Sequence, residues 1–200
     1  MIKYVRTILF VLLTTLGLQD AGARVIKDLF IAMPDSLMPM LDNNARKDLV
    51  DICLSGMTTA LPNEWDGMSV VQKLTDNFLQ LREDSEGIVT TRMALLTHGK
   101  DTVVCMVRTL RTPQPASEVQ FFNSRWQELN ADKLIQMPLP TEFVRDDDKL
   151  TEGVLPVEFV EADLQMTERG DATLTFTTNT SANAIVFQWK GKKFVRVKNK

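Results

Sequence analysis

Histidine is nearly absent from this sequence, and its scarcity removes whole classes of chemistry. His98 is the only one, and it falls in a Thr97-His98-Gly99-Lys100 stretch that reads as a hairpin turn. A serine or cysteine hydrolase needs an imidazole within reach of its nucleophile and backed by an orienting group, and a tight turn is a poor place for one. Cysteine is almost as rare. Cys53 and Cys105 are too few for a disulfide scaffold, which a 200-residue chain with 44% hydrophobic residues does not need. One histidine and two cysteines 52 positions apart also lack the ligand spacing of a zinc site. The cysteine pair leaves two readings open: a bridge closing a loop of about 50 residues, or two buried thiols packing as small hydrophobes.

A basic excess is missing too. With 23 Lys and Arg against 26 Asp and Glu the formal net charge is −3, so polyphosphate finds no electrostatic handle and no nucleic-acid partner is expected. Long apolar runs are also lacking: a membrane span takes about 20 residues, whereas residues 7–18 supply twelve. That run follows Lys3 and Arg6 and precedes Ala21-Gly22-Ala23, the layout of a secretory signal peptide over residues 1–23. Cleavage there removes Lys3, Arg6 and Asp20 and takes the net charge to −4. Neither cysteine follows the apolar run directly, so no lipoprotein anchor is indicated. These features predict an exported protein, periplasmic or cell-envelope associated, with no stable membrane span after cleavage.

What is present is the patterning of an α+β domain over residues 24–200. Residues 25–33 form a short apolar run that Met33-Pro34 and Met38-Pro39 interrupt. Asp42, Asn43 and Asn44 are each good N-caps. From there Ala45, Leu49, Ile52, Cys53, Gly56 and Met57 recur at helical spacing, with Arg46, Lys47, Asp48 and Asp51 opposite, predicting one main amphipathic helix near the mature N-terminus. Residues 61–66 read as a loop. Beyond it the period falls to two, with strands at 78–83, 87–96 and 101–111. In the second of these Val89, Thr91, Met93 and Leu95 share a face and Thr90 and Arg92 take the other, predicting an antiparallel meander with one wet face.

Pro113 and Pro115 end the third strand, a short strand follows at 119–122, and Asn123 or Ser124 is placed to cap a helical turn holding Trp126 and Leu129. Residues 137–153 are the loop-rich stretch where a lobe boundary could fall. Strands then return at 157–160, 163–168, 172–178, 184–190 and 193–198, the last two forming a hairpin around Lys190-Gly191-Lys192. Residues 78–96 and 163–179 read as candidate copies of one three-stranded unit.

Several motifs fall short of chemistry. Gly99-Lys100-Asp101-Thr102 lacks the earlier glycine and the Ser or Thr directly after the lysine that a phosphate loop requires. Asp146, Asp147 and Asp148 lack alternating calcium-ligand spacing, and Asn179-Thr180-Ser181 matches only a three-residue glycosylation acceptor. Met33, Met38, Met40 and Met57 are soft copper ligands by type but have no His or Cys interleaved in residues 33–40, so they read as core filler. No cofactor or metal is expected. A carboxylate pair could still hydrolyse glycans, although the sequence cannot single one out.

The blocks MPDSLMPMLDNNARKDLVDICLSGM, Trp65-Asp66-Gly67, MALLTHGKDTVVCMVRTLRTPQPASEVQFFNSRWQEL and VFQWKGKKFVRV resemble a family of exported bacterial proteins of unknown function from Bacteroides-type organisms. The likeness is most specific in the MPDSLxPxLxxNxRxDLxD block and around Thr109, Pro113, Phe121 and Trp126. It implies source and compartment but brings no functional residues. The resulting expectation is an exported, non-catalytic protein that binds an envelope protein or a small ligand, with Trp189, Lys190, Lys192, Lys193 and Phe194 as an interaction surface. The alternative is an exported carboxylate-dependent hydrolase acting on envelope glycan or peptide.

Overall fold

Helices, a six-stranded sheet and a four-stranded sheet stack in that order in the computed structural model, which describes residues 25–84, 86–143, 159–178 and 183–198. Strands β1 (Leu61–Pro62), β2 (Met68–Leu74), β3 (Phe78–Arg82), β4 (Val89–His98), β5 (Asp101–Leu110) and β6 (Ala116–Asn123) follow chain order across the first sheet. The second holds β7 (Val160–Met166), β8 (Ala172–Thr178), β9 (Ile185–Trp189) and β10 (Phe194–Arg196). All pairings between these strands are antiparallel, so both sheets are meanders and the fold is α+β, as the patterning predicts. The signal segment, the triplet at Asp146, most of the 137–153 stretch and Asn179 lie outside the described residues.

The expectation of a wet face on the first meander is wrong, because both faces are covered. Phe78, Ala94, Leu96, Val103, Cys105, Val107 and Phe121 face the second sheet, where Leu164, Leu174, Phe176, Phe187 and Trp189 meet them. Leu79, Leu81, Met93, Leu95, Val104, Met106 and Phe122 face the helices. Alternation in β4 fails after Arg92 because Ala94 and Leu96 continue the supposed wet face as apolar positions, the near-continuous apolar pattern of a strand buried on both sides. The cover comes from residues about 70 positions downstream, which local periodicity does not report. Ion pairs Arg92–Asp163 (2.9 Å) and Arg111–Glu161 (2.7 Å) hold β7 to the first sheet. The Ala162 N–H also donates to Ser117 Oγ at 2.9 Å.

The apolar run at 25–33 is a helix, α1 (Ile26–Ile31), burying Ile26, Leu29 and Phe30 and tied to the β2–β3 turn by Ile26 N–H donating to the Asp76 carbonyl at 2.8 Å. The main helix, α2 (Asn43–Leu54), is capped by Asp42, whose Oδ1 accepts from Ala45 N–H at 2.7 Å. Its buried stripe differs from the predicted one. Arg46, Leu49 and Val50 are buried, Ile52 and Cys53 are half-buried, and Gly56 and Met57 are exposed. The reason is Arg46, which points inward and is wrapped by the proline-punctuated lead-in. Its guanidinium donates to the carbonyls of Ile31 (3.3 Å), Met33 and Leu41 and pairs with Asp35 at 2.9 Å. Met33, Met38 and Met40 are core residues, as expected of filler.

Two shorter readings also change. The 61–66 loop contains β1, paired with β2 at Leu61↔Ser69. The expected helical turn holding Trp126 and Leu129 does not form. Asn123 Oδ1 accepts from Arg125 N–H (2.8 Å) and Gln127 N–H (3.1 Å), forming a side-chain-mediated turn in place of a helix cap. Trp126, at φ 61°, is turned back over Phe122, and its Nε1–H donates to the Leu29 carbonyl at 3.1 Å.

Candidate functional site

The face of the first sheet that meets the helices changes chemistry where their cover ends. Along β3 its inward row runs Leu79, Leu81, Glu83; along β4, Leu95, Met93, Thr91, Val89; along β5, Val104, Met106, Arg108, Leu110. The apolar core therefore gives way to Glu83, Thr91 and Arg108 at one end of the sheet. Glu83 is only 3% exposed, and a carboxylate that deep requires partners. Its Oε1 accepts from Thr91 Oγ1–H and from Arg108 Nε–H at 3.3 Å. Its Oε2 is buried and accepts nothing from the described residues. Arg108 also donates from Nη2 to the Leu37 carbonyl at 2.9 Å, pinning the lead-in to the sheet.

Glu83 and Arg108 line a cleft of about 670 Å3 walled by Leu37, Pro39, Met40, Val89 and Leu110, a size suited to small-molecule sites. Trp65 stands at its rim, 65% exposed. One residue couples rim to floor. Asn63 Oδ1 accepts from Trp65 N–H and Gly67 N–H, both at 3.0 Å, while its Nδ2 donates to Ser69 Oγ (3.0 Å) and to the Glu83 carbonyl (2.7 Å). Gly67 suits this packing, since a Cβ there would lie 3.1 Å from Asn63 Nδ2 and press on the side chain that couples rim to floor. A mostly apolar cleft with a buried carboxylate in its inner wall and an indole at its mouth is suited to holding a ligand.

The residues singled out from sequence do not assemble here. Trp189 and Phe194 are core side chains packed edge to face, with ring centroids 5.2 Å apart, so only Lys190, Lys192 and Lys193 of the expected surface are exposed. Cys53 and Cys105 are both free thiols. They pack into different cores, Cys53 under the helices and Cys105 between the sheets, with the six-stranded sheet separating the two cores. Burial raises the pKa of both thiols. His98 is in its predicted turn, its ring 6.2 Å from that of Trp189. The two carboxylates held below their ordinary range stand outside the cleft. At Asp84, burial pushes the pKa up, but backbone N–H groups of Val89, Ile88, Glu86 and Gly87 outweigh it. At Glu142 the Leu139 N–H and then Arg196 lower it. Among the described residues no three His, Cys, Asp or Glu side chains are grouped to hold a metal, and no helix is long and apolar enough to cross a membrane.

The one signal for the site in the sequence is positional: Glu83 and Arg108 occupy inward positions of strands whose other inward residues are mostly apolar. Trp65 gives no such signal, because the other residues lining the cleft are distant from it in sequence.

Fold and site define an α+β protein of two facing antiparallel meanders with a ligand-sized cleft at one sheet end. The chain belongs to the family described as protein of unknown function DUF3256, whose model matches residues 18–194. Its fold is similar to the solved structure of a domain of an uncharacterized protein from Porphyromonas gingivalis W83, with a TM-score of 0.69 at 20% identity, covering 87% of this chain and 98% of that one. None of the curated proteins matches the sequence.

Proposed function

We propose that this protein is an exported, non-catalytic binding protein of the bacterial periplasm or cell envelope that takes a small ligand in the Glu83–Arg108 cleft. The supporting observation is Glu83 Oε2, a buried acceptor with no donor in a cleft otherwise lined mostly by apolar side chains. Native proteins rarely leave such an atom unmatched; of the four buried side-chain atoms without a partner among the described residues, it alone belongs to a residue lining this cleft, and a ligand hydroxyl or amine would match it. The ligand this predicts is amphiphilic, with an apolar or ring face against Trp65 and Leu110 and a donor at its inner end. Binding is favoured over carboxylate hydrolysis because Glu83 is tied to Thr91 and Arg108, and Glu118, the other carboxylate lining the cleft among the described residues, is exposed to solvent. Export rests on the signal pattern in residues 1–23, and the intact mass of the protein recovered from a Bacteroides-type host tests it: a chain starting at Arg24 supports export, and one retaining residues 1–23 contradicts it.

The binding test uses the tryptophans. Trp126 and Trp189 are buried and Trp65 is exposed, so acrylamide quenching reports chiefly on Trp65. Across a panel of oligosaccharides and short peptides, the reading predicts a compound that protects Trp65 saturably. Glu83→Gln should weaken that compound about tenfold or more, the loss of one buried charge-assisted hydrogen bond. Absence of protection throughout the panel, or turnover of a panel member by the purified protein, contradicts it.

A further inference from the structure

We infer that the opposite end of the molecule carries a second site, a cationic groove that binds an acidic glycan chain. Lys100, Arg125 and Lys133 come from three separate segments and line one groove of about 830 Å3 whose only acidic lining residue among the described residues is Asp101. All three are exposed, and none forms an ion pair among the described residues. A chain of net charge −3 thus gathers unpaired cations in one concavity, where a low-dielectric wall focuses their field.

Each cation is mounted on a defined turn. Lys100 follows Gly99 (φ +64°) in the two-residue β4–β5 turn, the geometry that places glycine first. Arg125 rides the Asn123 turn, and Lys133 ends a short 3-10 turn over Ala131–Lys133 in which Asn130 Oδ1 accepts from Asp132 N–H at 2.8 Å. Trp189 Nε1–H donates to the Thr97 carbonyl at 2.8 Å and its ring lies 6.2 Å from that of His98, which holds the β9–β10 hairpin to this end of β4.

The shape selects the partner. A concave groove follows an extended polyanion better than a flat bilayer, and no residue lining it is an exposed large hydrophobic that could insert into lipid. Single-stranded nucleic acid would need exposed aromatic rings to stack its bases, and the groove lining has no Phe, Tyr or Trp. An acidic glycan needs only spaced cations and hydrogen-bond donors, which Asn123, Gln127 and Asn130 add. The site is independent of the cleft, from which the ten residues of β5 separate it by roughly 30 Å.

The probe is heparin, titrated against the purified protein by calorimetry at several salt concentrations. Wild type should bind, more weakly as salt rises. The triple variant Lys100→Glu, Arg125→Glu, Lys133→Glu should lose at least about tenfold in affinity, and the matching glutamine variant should lose less, with unchanged circular dichroism in both. A control reversing Lys47, Lys73 and Arg169, on other surfaces, should bind like wild type, as should Glu83→Gln. No heparin binding overturns the inference, as does equal loss in the control. Binding to phosphatidylglycerol vesicles or single-stranded DNA without heparin binding would assign the groove to a different partner and overturn it as well.

Discussion

At the residue scale Arg46 explains why the block that marks this family has its form. Only 1% exposed, its guanidinium must spend its donors on protein acceptors, and the lead-in supplies the carbonyls of Ile31, Met33 and Leu41. Arg46→Ala should therefore cost about 3–5 kcal/mol, the range for breaking a buried charged network. Asp35→Asn should cost less than about 1 kcal/mol, because Asp35 is 63% exposed and its pair is screened. Urea titrations of the two variants check this, and equal losses would contradict it. Periodicity placed Arg46 on the polar side of the helix, since an inward arginine reads as polar until its acceptors are known. The thiols give a second prediction. Burial holds both in the protonated form, so native protein should label slowly at half-buried Cys53 and not at Cys105 until unfolded. The pattern should be the same with or without reductant; labelling that requires reductant would show a bridge.

At the element scale the clearest device is the β3–β4 turn. Asp84 accepts from Glu86 N–H (2.8 Å), Ile88 N–H (3.0 Å) and Val89 N–H, so its carboxylate substitutes for missing ladder bonds. Its folded pKa lies below the ordinary value, so the stabilisation is present above the unfolded pKa and lost as pH falls through the folded one. Wild type should exceed Asp84→Asn in urea midpoint at neutral pH, and the gap should close below about pH 4; a constant gap would contradict the assignment. The β4–β5 turn, the Asp42 cap and the β8 strand were legible because each is encoded within a few residues. The β1 pairing and the burial of both sheet faces were not, because they depend on segments tens of residues away.

At the scale of the whole molecule, six strands sandwiched between helices and a second sheet set two cavities at opposite ends of the first sheet. One end carries the Glu83–Arg108 cleft and the other the cationic groove. The α+β class could be read from the change of period after residue 77, but the cleft could not, since its walls come from five segments that only the tertiary fold assembles. The most direct test of the cleft is a crystal structure of the protein with a compound selected by Trp65 protection. The account predicts that compound between Trp65 and Leu110, with a hydroxyl or amine about 2.7–3.2 Å from Glu83 Oε2. A compound bound elsewhere, with Glu83 Oε2 still accepting nothing, would contradict it.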